Sequence, residues 1–296
     1  MFNNLSIKQF ASDFYREINE DNVFMGAAAL GFYLTLAIFP ALILLMTIIP
    51  YLPIEEVDEA LMDLLGQALP EEAYGIVEEV VADVTQERRG GLLSLSLLGT
   101  LWVASTGMYA TMLQLNITYN VKEARSFLKA RATALVLSIL FGLLVIGAFS
   151  LIVLGGRIED WLGDQMGYSD ALLIFFSIFR WVVIVLALLL GFAIIYRFAP
   201  NVEQKFRFIT PGSVIGTILI IIVSIGFSIY TANFADYDAT YGSIGAIIIL
   251  MLWLYITGLV ILIGSEINVI LEHYSSKGKE KGEKIEGEHA GGKMTD

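Results

Sequence analysis

A few polar side chains interrupt long apolar stretches, and they are the residues here that are most able to do chemistry. Glu266 and Asn268 lie near the end of the last apolar stretch, in the sequence LIGSEINVILEH. A carboxyl group in a membrane helix can bind a proton or a substrate, or it can pair with a basic group at the membrane interface. We expect Glu266 to face other helices rather than lipid, because an ionisable group is costly in hydrocarbon.

Arg180 is the one charged residue between Ala171 and Tyr196. At 1.5 Å per residue, a helix from Arg180 to Arg197 is about 25 Å long, so Arg180 reaches the outer membrane interface if Arg197 lies near the inner one. Its long side chain can extend to that interface, or it can face inward as a functional cation. The sequence leaves both interpretations open.

A polar ladder ends the second apolar stretch; its members are Gln114, Asn116, Thr118 and Asn120. Because Gln114 and Thr118 are one helical turn apart, they share a face and can hydrogen-bond to neighbouring helices. The ladder indicates either bonding between helices or part of a permeation path.

Polar and aromatic residues also crowd the connection between the last two apolar stretches. We hypothesise a cavity whose external mouth is lined by Asn233, Tyr241 and Ser243. Its deeper wall would include Tyr33, Pro40 and Gln114. The alternative is that Tyr241 anchors the chain at the membrane interface, as aromatic residues commonly do.

Residue types for catalysis or metal binding are scarce. The sequence has no cysteine, and its histidines, His273 and His289, lie at or beyond the end of the last apolar stretch. A metal-dependent hydrolase needs clustered ligands that activate water. The sequence also has no phosphate-binding glycine loop, serine elbow or basic aromatic groove. We therefore expect no enzymatic activity, no cofactor and no metal site, and the net charge of −12 argues against a nucleic-acid partner.

Six apolar stretches must position these side chains. The chain is 56% hydrophobic with a mean hydropathy of +0.72, and each stretch reaches the roughly 20 residues that cross a bilayer as a helix. The predicted fold is an all-α polytopic membrane protein with six transmembrane helices in one membrane domain, residues 25–274. The predicted spans are about 25–50, 92–116, 132–155, 172–197, 210–233 and 242–268.

The charges of the loops alternate and indicate the orientation. The connections after the second and fourth spans are mainly basic; their cations are Lys122, Arg125, Lys129, Arg131, Arg197, Lys205 and Arg207. The connections after the third and fifth spans are acidic. By the positive-inside rule the basic connections are cytoplasmic, and six spans then place both termini inside.

Three segments lie outside the predicted spans. In residues 1–24, Ile7, Phe10, Phe14 and Ile18 share one helical face, which predicts an interfacial helix on the cytoplasmic membrane surface. The external loop 51–91 is rich in carboxylates, and its pattern predicts two short amphipathic helices that form a solvated face or a docking surface for cations or partners. Residues 275–296 alternate Lys, Glu and Gly, which predicts a disordered cytoplasmic tail.

Small residues predict where helix backbones approach each other. Ala27 with Gly31, and Gly212 with Gly216, have the spacing that favours close helix packing. Pro40 frees a backbone carbonyl within the first span, so a kink is expected there, either beside a cavity or as a simple bend.

Three stretches of the chain resemble the YihY/BrkB family of inner-membrane proteins. They are AAALGFYLTLAIFPALILL from Ala27, TPGSVIGTILIIIVSIGFSIYTANFADYDATYGSIGA from Thr210 and WLYITGLVILIGSEIN from Trp253. The resemblance implies a six-helix protein of the bacterial or archaeal cytoplasmic membrane, associated in some members with envelope integrity and virulence, and without a settled molecular activity. The family has also carried the label ribonuclease BN, which the residues of this chain do not support.

Two classes of function are compatible with the sequence. The first is an ion-coupled transporter or flippase-like permease of unknown substrate. The second is a non-transporting envelope or scaffold protein in which the polar residues only hold helices together. The expected partners are the lipid bilayer and either a transported substrate or an envelope protein, and a homo-oligomer is a further possibility.

Overall fold

The computed structural model of this protein describes residues 6–48, 90–166, 170–202, 208–233 and 243–274. Within these ranges the chain forms helices joined by short turns and loops, in agreement with the predicted all-α class. In chain order the helices are α1 (Ile7–Glu20), α2 (Val23–Ile48), α3 (Gly90–Thr118), α4 (Phe127–Met166), α5 (Asp170–Phe198), α6 (Pro211–Asn233) and α7 (Ser243–His273). Most of the predicted external loop and the whole predicted tail lie outside the described residues.

Among the described residues, four helices contain segments that are long and apolar enough to cross a membrane. These segments are Phe127–Ala148, Leu172–Phe198, Pro211–Thr231 and Ile247–His273. A shorter apolar segment covers Val23–Ala37 in α2. The structure therefore supports a membrane-protein fold, whereas the six spans and the inward orientation of both termini stay predictions.

Local sequence explains how α1 and α6 begin. The Ser6 hydroxyl accepts a hydrogen bond from the Gln9 amide at 3.1 Å, so Ser6 caps the first turn of α1. At α6, the Thr210 hydroxyl accepts from the Ser213 amide at 3.1 Å, and the Ser213 hydroxyl accepts from the Thr210 amide at 2.9 Å. This reciprocal capping, with Pro211 at the first helical position, fixes the start of α6.

The contacts divide the chain into two compact units. The first unit comprises Met1–Val23, Thr111–Leu219 and Ile261–Asp296, and the second comprises Phe24–Ala110 and Ile220–Val260. In the first unit a small apolar cluster forms beside the α3–α4 connection; its members are Tyr119, Val121, Val202 and Val269. The first unit also contains most of the candidate residues whose side chains the structure describes.

The second unit packs through glycines. A Cβ atom on Gly31 would lie 3.0 Å from the backbone nitrogen of Tyr255, so α2 and α7 approach closely there. At Gly258 the neighbouring atoms belong to Ala27 and Leu30. The close approach predicted for Ala27 and Gly31 is therefore confirmed.

Candidate functional site

Glu266 is the most deeply buried ionisable side chain among the candidates, with 1% of its surface exposed. Its Oε1 accepts a hydrogen bond from the Thr118 hydroxyl at 3.1 Å, which joins α7 to the end of α3. The prediction that Glu266 faces other helices is confirmed. Among the residues that the structure describes, none of the ion pairs includes Glu266.

Two further carboxyl groups lie close to Glu266. Glu17 of α1 is 8% exposed, and Asp21, at the end of α1, is 5% exposed. Both interact electrostatically with Glu266, and the Asp21 side chain lies within hydrogen-bonding reach of it. The Gln114 side chain donates to the Asp21 carbonyl at 2.9 Å and so ties α3 to the same point. We call Glu17, Asp21 and Glu266 the acidic cluster.

A cleft of about 250 Å³ lies between α1 and the end of α7. It is lined by Asp13, Arg16, Glu17, Ile270, His273 and Tyr274. The Tyr274 hydroxyl hydrogen-bonds to an Asp13 carboxylate oxygen at 2.5 Å, and this bond raises the pKa of Tyr274. One member of the acidic cluster, Glu17, therefore also lines a space that is open to solvent.

Arg16 neutralises part of the acidic charge on α1. Its guanidinium lies 3.1 Å from carboxylate oxygens of both Asp13 and Glu17, and 3.9 Å from Glu20. The hydrogen bond to Glu17 is the largest of the effects that raise the pKa of Arg16. Because the Arg16 side chain is 54% exposed, water screens these ion pairs.

A second polar centre joins the α3–α4 connection to the end of α5. The Arg125 guanidinium bonds the Glu123 carboxylate at 2.7 and 2.8 Å and donates to the Ala199 carbonyl at 2.7 Å. Burial raises the pKa of Glu123, but its hydrogen bonds with Arg125 and their charge attraction outweigh burial, so the pKa lies below its ordinary value. We call Glu123, Arg125 and the Phe198 and Ala199 carbonyls that accept from Arg125 the loop clamp.

Asn116 extends the loop clamp into α3. Its Nδ2 donates to Glu123 at 3.0 Å, and its Oδ1 accepts from the Asn201 amide at 2.6 Å. Asn201 in turn donates to the Lys122 carbonyl at 3.0 Å. Asn116 thus bonds between segments of the first unit, as one of the two interpretations of the polar ladder predicts.

Asn268 holds the start of α6. Its side-chain oxygen accepts from the Gly212 amide at 2.7 Å. A Cβ atom on Gly212 would collide with the Gly264 carbonyl, so only glycine fits this close approach of α6 to α7. The ring of Phe192 lies against Gly216, which confirms the close packing predicted for Gly212 and Gly216.

The remaining candidates lie apart from the acidic cluster or outside the described side chains. Arg180 is half-buried, and its side chain packs where Gly155 of α4 leaves room, which decides neither of its interpretations. Tyr33 packs against Gly107 in the second unit. Tyr241 lies outside the described residues, as do the side chains of Pro40, Asn233 and Ser243, although those three belong to helices. The proposed external cavity therefore stays a prediction.

Glu17 and Asp21 are site residues that the sequence analysis did not select, whereas Thr118 was selected as a member of the polar ladder. Asp13, Glu17 and Asp21 recur every four residues and thus share one face of α1. This acidic stripe is the sequence signal that could have identified Glu17 and Asp21. In the sequence, however, these acids also balance the nearby cations, and the apolar face of α1 is the stronger pattern. In the described part of the chain, no group of three or more His, Cys, Asp or Glu side chains is arranged to hold a metal ion.

Comparison with known proteins places the chain in a family. The family model described as "Virulence factor BrkB" matches residues 14–288. The "Putative ribonuclease-like protein YfkH" of Bacillus subtilis is 41% identical over 245 residues, which cover 83% of this chain and 88% of that protein. "UPF0761 membrane protein" sequences of Pseudoalteromonas atlantica and Tolumonas auensis are 26% and 24% identical, each over 90% of this chain and over 88% and 86% of those proteins, respectively.

No solved structure matches the chain. The family match covers most of the residues that the structure describes, including all three members of the acidic cluster. The apolar helices and the relatives agree on a membrane protein. The chain belongs to the virulence factor BrkB family of membrane proteins.

Proposed function

We propose that this protein is an ion-coupled transporter of the cytoplasmic membrane in which Glu266 binds the coupling ion, a proton. The observation that carries the proposal is the burial of the Glu266 carboxyl group in an apolar helix, with the Thr118 hydroxyl as its hydrogen-bond donor. Ionisable groups inside membrane helices are costly and commonly mark ion pathways.

The neighbours of Glu266 support a proton as the coupling ion. Glu17 and Asp21 add two carboxyl groups whose simultaneous ionisation with Glu266 brings like charges together. Carboxyl groups that approach this closely hold a proton between them more readily than they hold full negative charge. Gain and loss of that proton would change the electrostatics of α1, α3 and α7 together.

The contacts of the first unit support six antiparallel spans with both termini on the cytoplasmic side. The start of α2 lies beside Asp21, which bonds Gln114 near the end of α3. Arg125, which precedes α4, bonds the end of α5, and Asn268 near the end of α7 bonds the start of α6. Helix starts and helix ends thus alternate in one unit, as an up-and-down bundle requires.

A cysteine-accessibility experiment tests the proposal. Because the native chain has no cysteine, single cysteines placed along α2 and α3 can be labelled with a membrane-impermeant maleimide from either face of the membrane. A transporter predicts positions whose labelling moves from one face to the other when the pH gradient is reversed. In Glu266→Gln, the labelled positions should stay the same when the pH gradient is reversed. The control is Glu272→Gln, the same change about two turns further along α7, and its labelling should change as in the wild type.

Fixed labelling in the wild-type protein would contradict transport and favour the scaffold alternative. Equal behaviour of the two Gln variants would remove Glu266 from the mechanism. We propose no catalytic activity for this chain, and the word "ribonuclease-like" is part of the name of the Bacillus subtilis relative.

A further inference from the structure

The contact between α1 and α7 indicates a second role for the acidic cluster, which does not depend on transport. α1 turns its acidic stripe inward, so that Glu17 and Asp21 are 8% and 5% exposed. Opposite them on α7 lies another acid, Glu266, rather than a lysine or arginine. An interface between like-charged groups is unstable when all of them are ionised.

The charged groups at this interface come from every element that packs there. α1 contributes Asp13, Arg16 and Glu17, and Asp21 follows its last residue. α7 contributes Glu266 and His273, and Tyr274 follows it. Glu20 is exposed beside Arg16, on the same helix. The α3 groups Gln114 and Thr118 are neutral hydrogen-bond donors. Arg16 is the cation of the cleft, and its half-exposed ion pairs join carboxylates of its own helix rather than α1 to α7.

Glu17 and Asp21 lie at the C-terminal end of α1, which adds to the cost of ionising them. The carbonyl groups of the last helical turn carry partial negative charge, which disfavours a nearby carboxylate. The hydrogen bond from Tyr274 to Asp13 also joins α1 to the end of α7, so release of α1 would break it. The bond raises the pKa of Tyr274 above its ordinary value of 10.0, so Tyr274 keeps its proton in the neutral pH range. The pH dependence of the contact between α1 and α7 is therefore assigned to the deeper acids, Glu17, Asp21 and Glu266.

The link between α1 and α2 permits movement of α1. Asp21 and Asn22 are the two residues between these helices, and Asn22 has φ 51°, in the left-handed region that asparagine tolerates. The Gln114 bond to the Asp21 carbonyl holds the end of α1 at α3. Rotation about the link would move the rest of α1 without displacing α2.

We propose that α1 is a pH-operated latch that lies against α7 while the acidic cluster holds a proton and leaves α7 when the cluster is fully ionised. Release removes Glu17 from its buried position and opens the cleft towards Glu266. Docking is then strongest at low pH and weakens as the pH rises. The docking equilibrium changes by up to tenfold per pH unit for each proton lost on release.

Distance measurement between spin labels tests the latch. Cysteines replace Ser12 on the exposed side of α1 and Lys129 at the exposed start of α4, and the protein is measured in lipid nanodiscs from about pH 5 to about pH 9. We expect one narrow distance population at low pH and a second, longer population that grows as the pH rises. Glu17→Gln and Asp21→Asn should each keep the narrow population at every pH, because a cluster with two carboxyl groups has at most the charge of the wild-type cluster that holds one proton.

Glu20→Gln is the control, since Glu20 is an exposed carboxylate on the same helix. It should give the wild-type pH curve. A wild-type distance that does not change with pH would overturn the latch, and so would a Glu20→Gln curve that moves as far as that of Glu17→Gln. A Glu17→Gln protein whose α1 is released at every pH would overturn it as well. Transport does not require α1 to move, so failure of the latch in this experiment would not contradict transport, which the cysteine-accessibility experiment tests separately.

Discussion

The two compact units hold their helices together in different ways. In the first unit, polar side chains bond across helices, as Thr118 does to Glu266 and as Tyr196 does to the Ile261 carbonyl at 2.8 Å. In the second unit, the Thr35 and Thr257 hydroxyls bond the carbonyls four residues earlier in their own helices, and the helices meet at glycines. The first unit is thus sensitive to charge and hydrogen bonding in addition to volume at Gly212, whereas the second is sensitive mainly to volume.

This difference assigns the candidate functional groups to the first unit and a mainly structural role to the second. Polar groups in a membrane protein need partners, because unpaired polar groups are costly there. The first unit supplies those partners from three or more helices and can therefore keep a buried carboxyl group. Substitutions that alter charge should act mainly on the first unit, whereas a methyl group added at a glycine contact should act on either unit, at Gly212 in the first and at Gly31 in the second.

The largest expected effect comes from breaking the loop clamp. Arg125→Ala removes the guanidinium that pairs with Glu123 and donates to the Ala199 carbonyl in a largely buried site. Glu123 then keeps only the Asn116 side chain and the amide of residue 125 as donors. Removing one partner of a buried ion pair costs about 3 kcal/mol or more. Thermal unfolding in detergent should show the loss as a lower Tm. Lys129→Ala removes an exposed cation of the neighbouring helix and should leave Tm nearly unchanged; a similar loss in both variants would show that the clamp is not special.

Adding a methyl group at Gly31 gives the next largest effect. The new Cβ would press on the Tyr255 backbone at 3.0 Å, which is tighter than ordinary contact. Overpacking of this kind costs about 1–3 kcal/mol. Gly226→Ala is the matched control, because a Cβ there meets nothing within 4 Å, and it should gain up to about 1 kcal/mol from helix propensity. If Gly31→Ala is as stable as Gly226→Ala, the second unit does not depend on glycine packing.

Tyr196→Phe should have a smaller effect in the first unit. It removes the hydrogen bond from the Tyr196 hydroxyl to the Ile261 carbonyl while keeping the ring that stacks on Phe192. A single buried hydrogen bond contributes about 1 kcal/mol. The unfolding midpoint in denaturing detergent should fall by a corresponding amount. An unchanged midpoint would mean that shape rather than hydrogen bonding holds α5 to α7 there.

The smallest effect is the pH dependence of the loop clamp. Hydrogen bonds and charge attraction from Arg125 outweigh burial and hold the pKa of Glu123 below its ordinary value of 4.5. The ionised carboxylate therefore stabilises the fold fully above pH 4.5, and this contribution is lost as the pH falls through the lower, folded-state pKa. The Tm difference between wild type and Glu123→Gln should shrink in that acidic range. A difference that stays constant or widens with acidity would contradict the assignment.

The sequence predicts the helical class and the burial of Glu266 because both follow from the residues of single apolar stretches. Long apolar stretches have one stable form in a bilayer, and a carboxyl group within one of them must face protein. The glycine contacts at Gly31 and Gly212 also follow from spacing. The ends of the helices differ more from the predicted spans. α4 begins at Phe127 and ends at Met166, whereas the predicted span is 132–155. Apolar length predicts only the part of a helix that crosses the hydrocarbon, and a helix can continue beyond it into water.

The partners of Glu266 could not be predicted from the sequence. Glu17 and Asp21 are some 250 residues away along the chain, and their charges read equally well as a solvated helix face. Asn116 and Asn268 were selected as polar residues within spans, yet each bonds to backbone or loop groups that only the folded chain brings near. Distances of this kind depend on how helices are arranged, which residue patterns within single helices do not encode.

Infrared difference spectroscopy of the reconstituted protein tests the central claim, that Glu266 gains and loses a proton within the membrane helix. The carbonyl stretch of a protonated carboxyl group is recorded while the pH is stepped, in wild type, Glu266→Gln and Glu272→Gln. We expect a pH-dependent carboxyl band that is present in wild type and Glu272→Gln and is missing in Glu266→Gln. A band that survives Glu266→Gln unchanged would contradict the assignment of the proton to Glu266 and, with it, the proposed coupling mechanism.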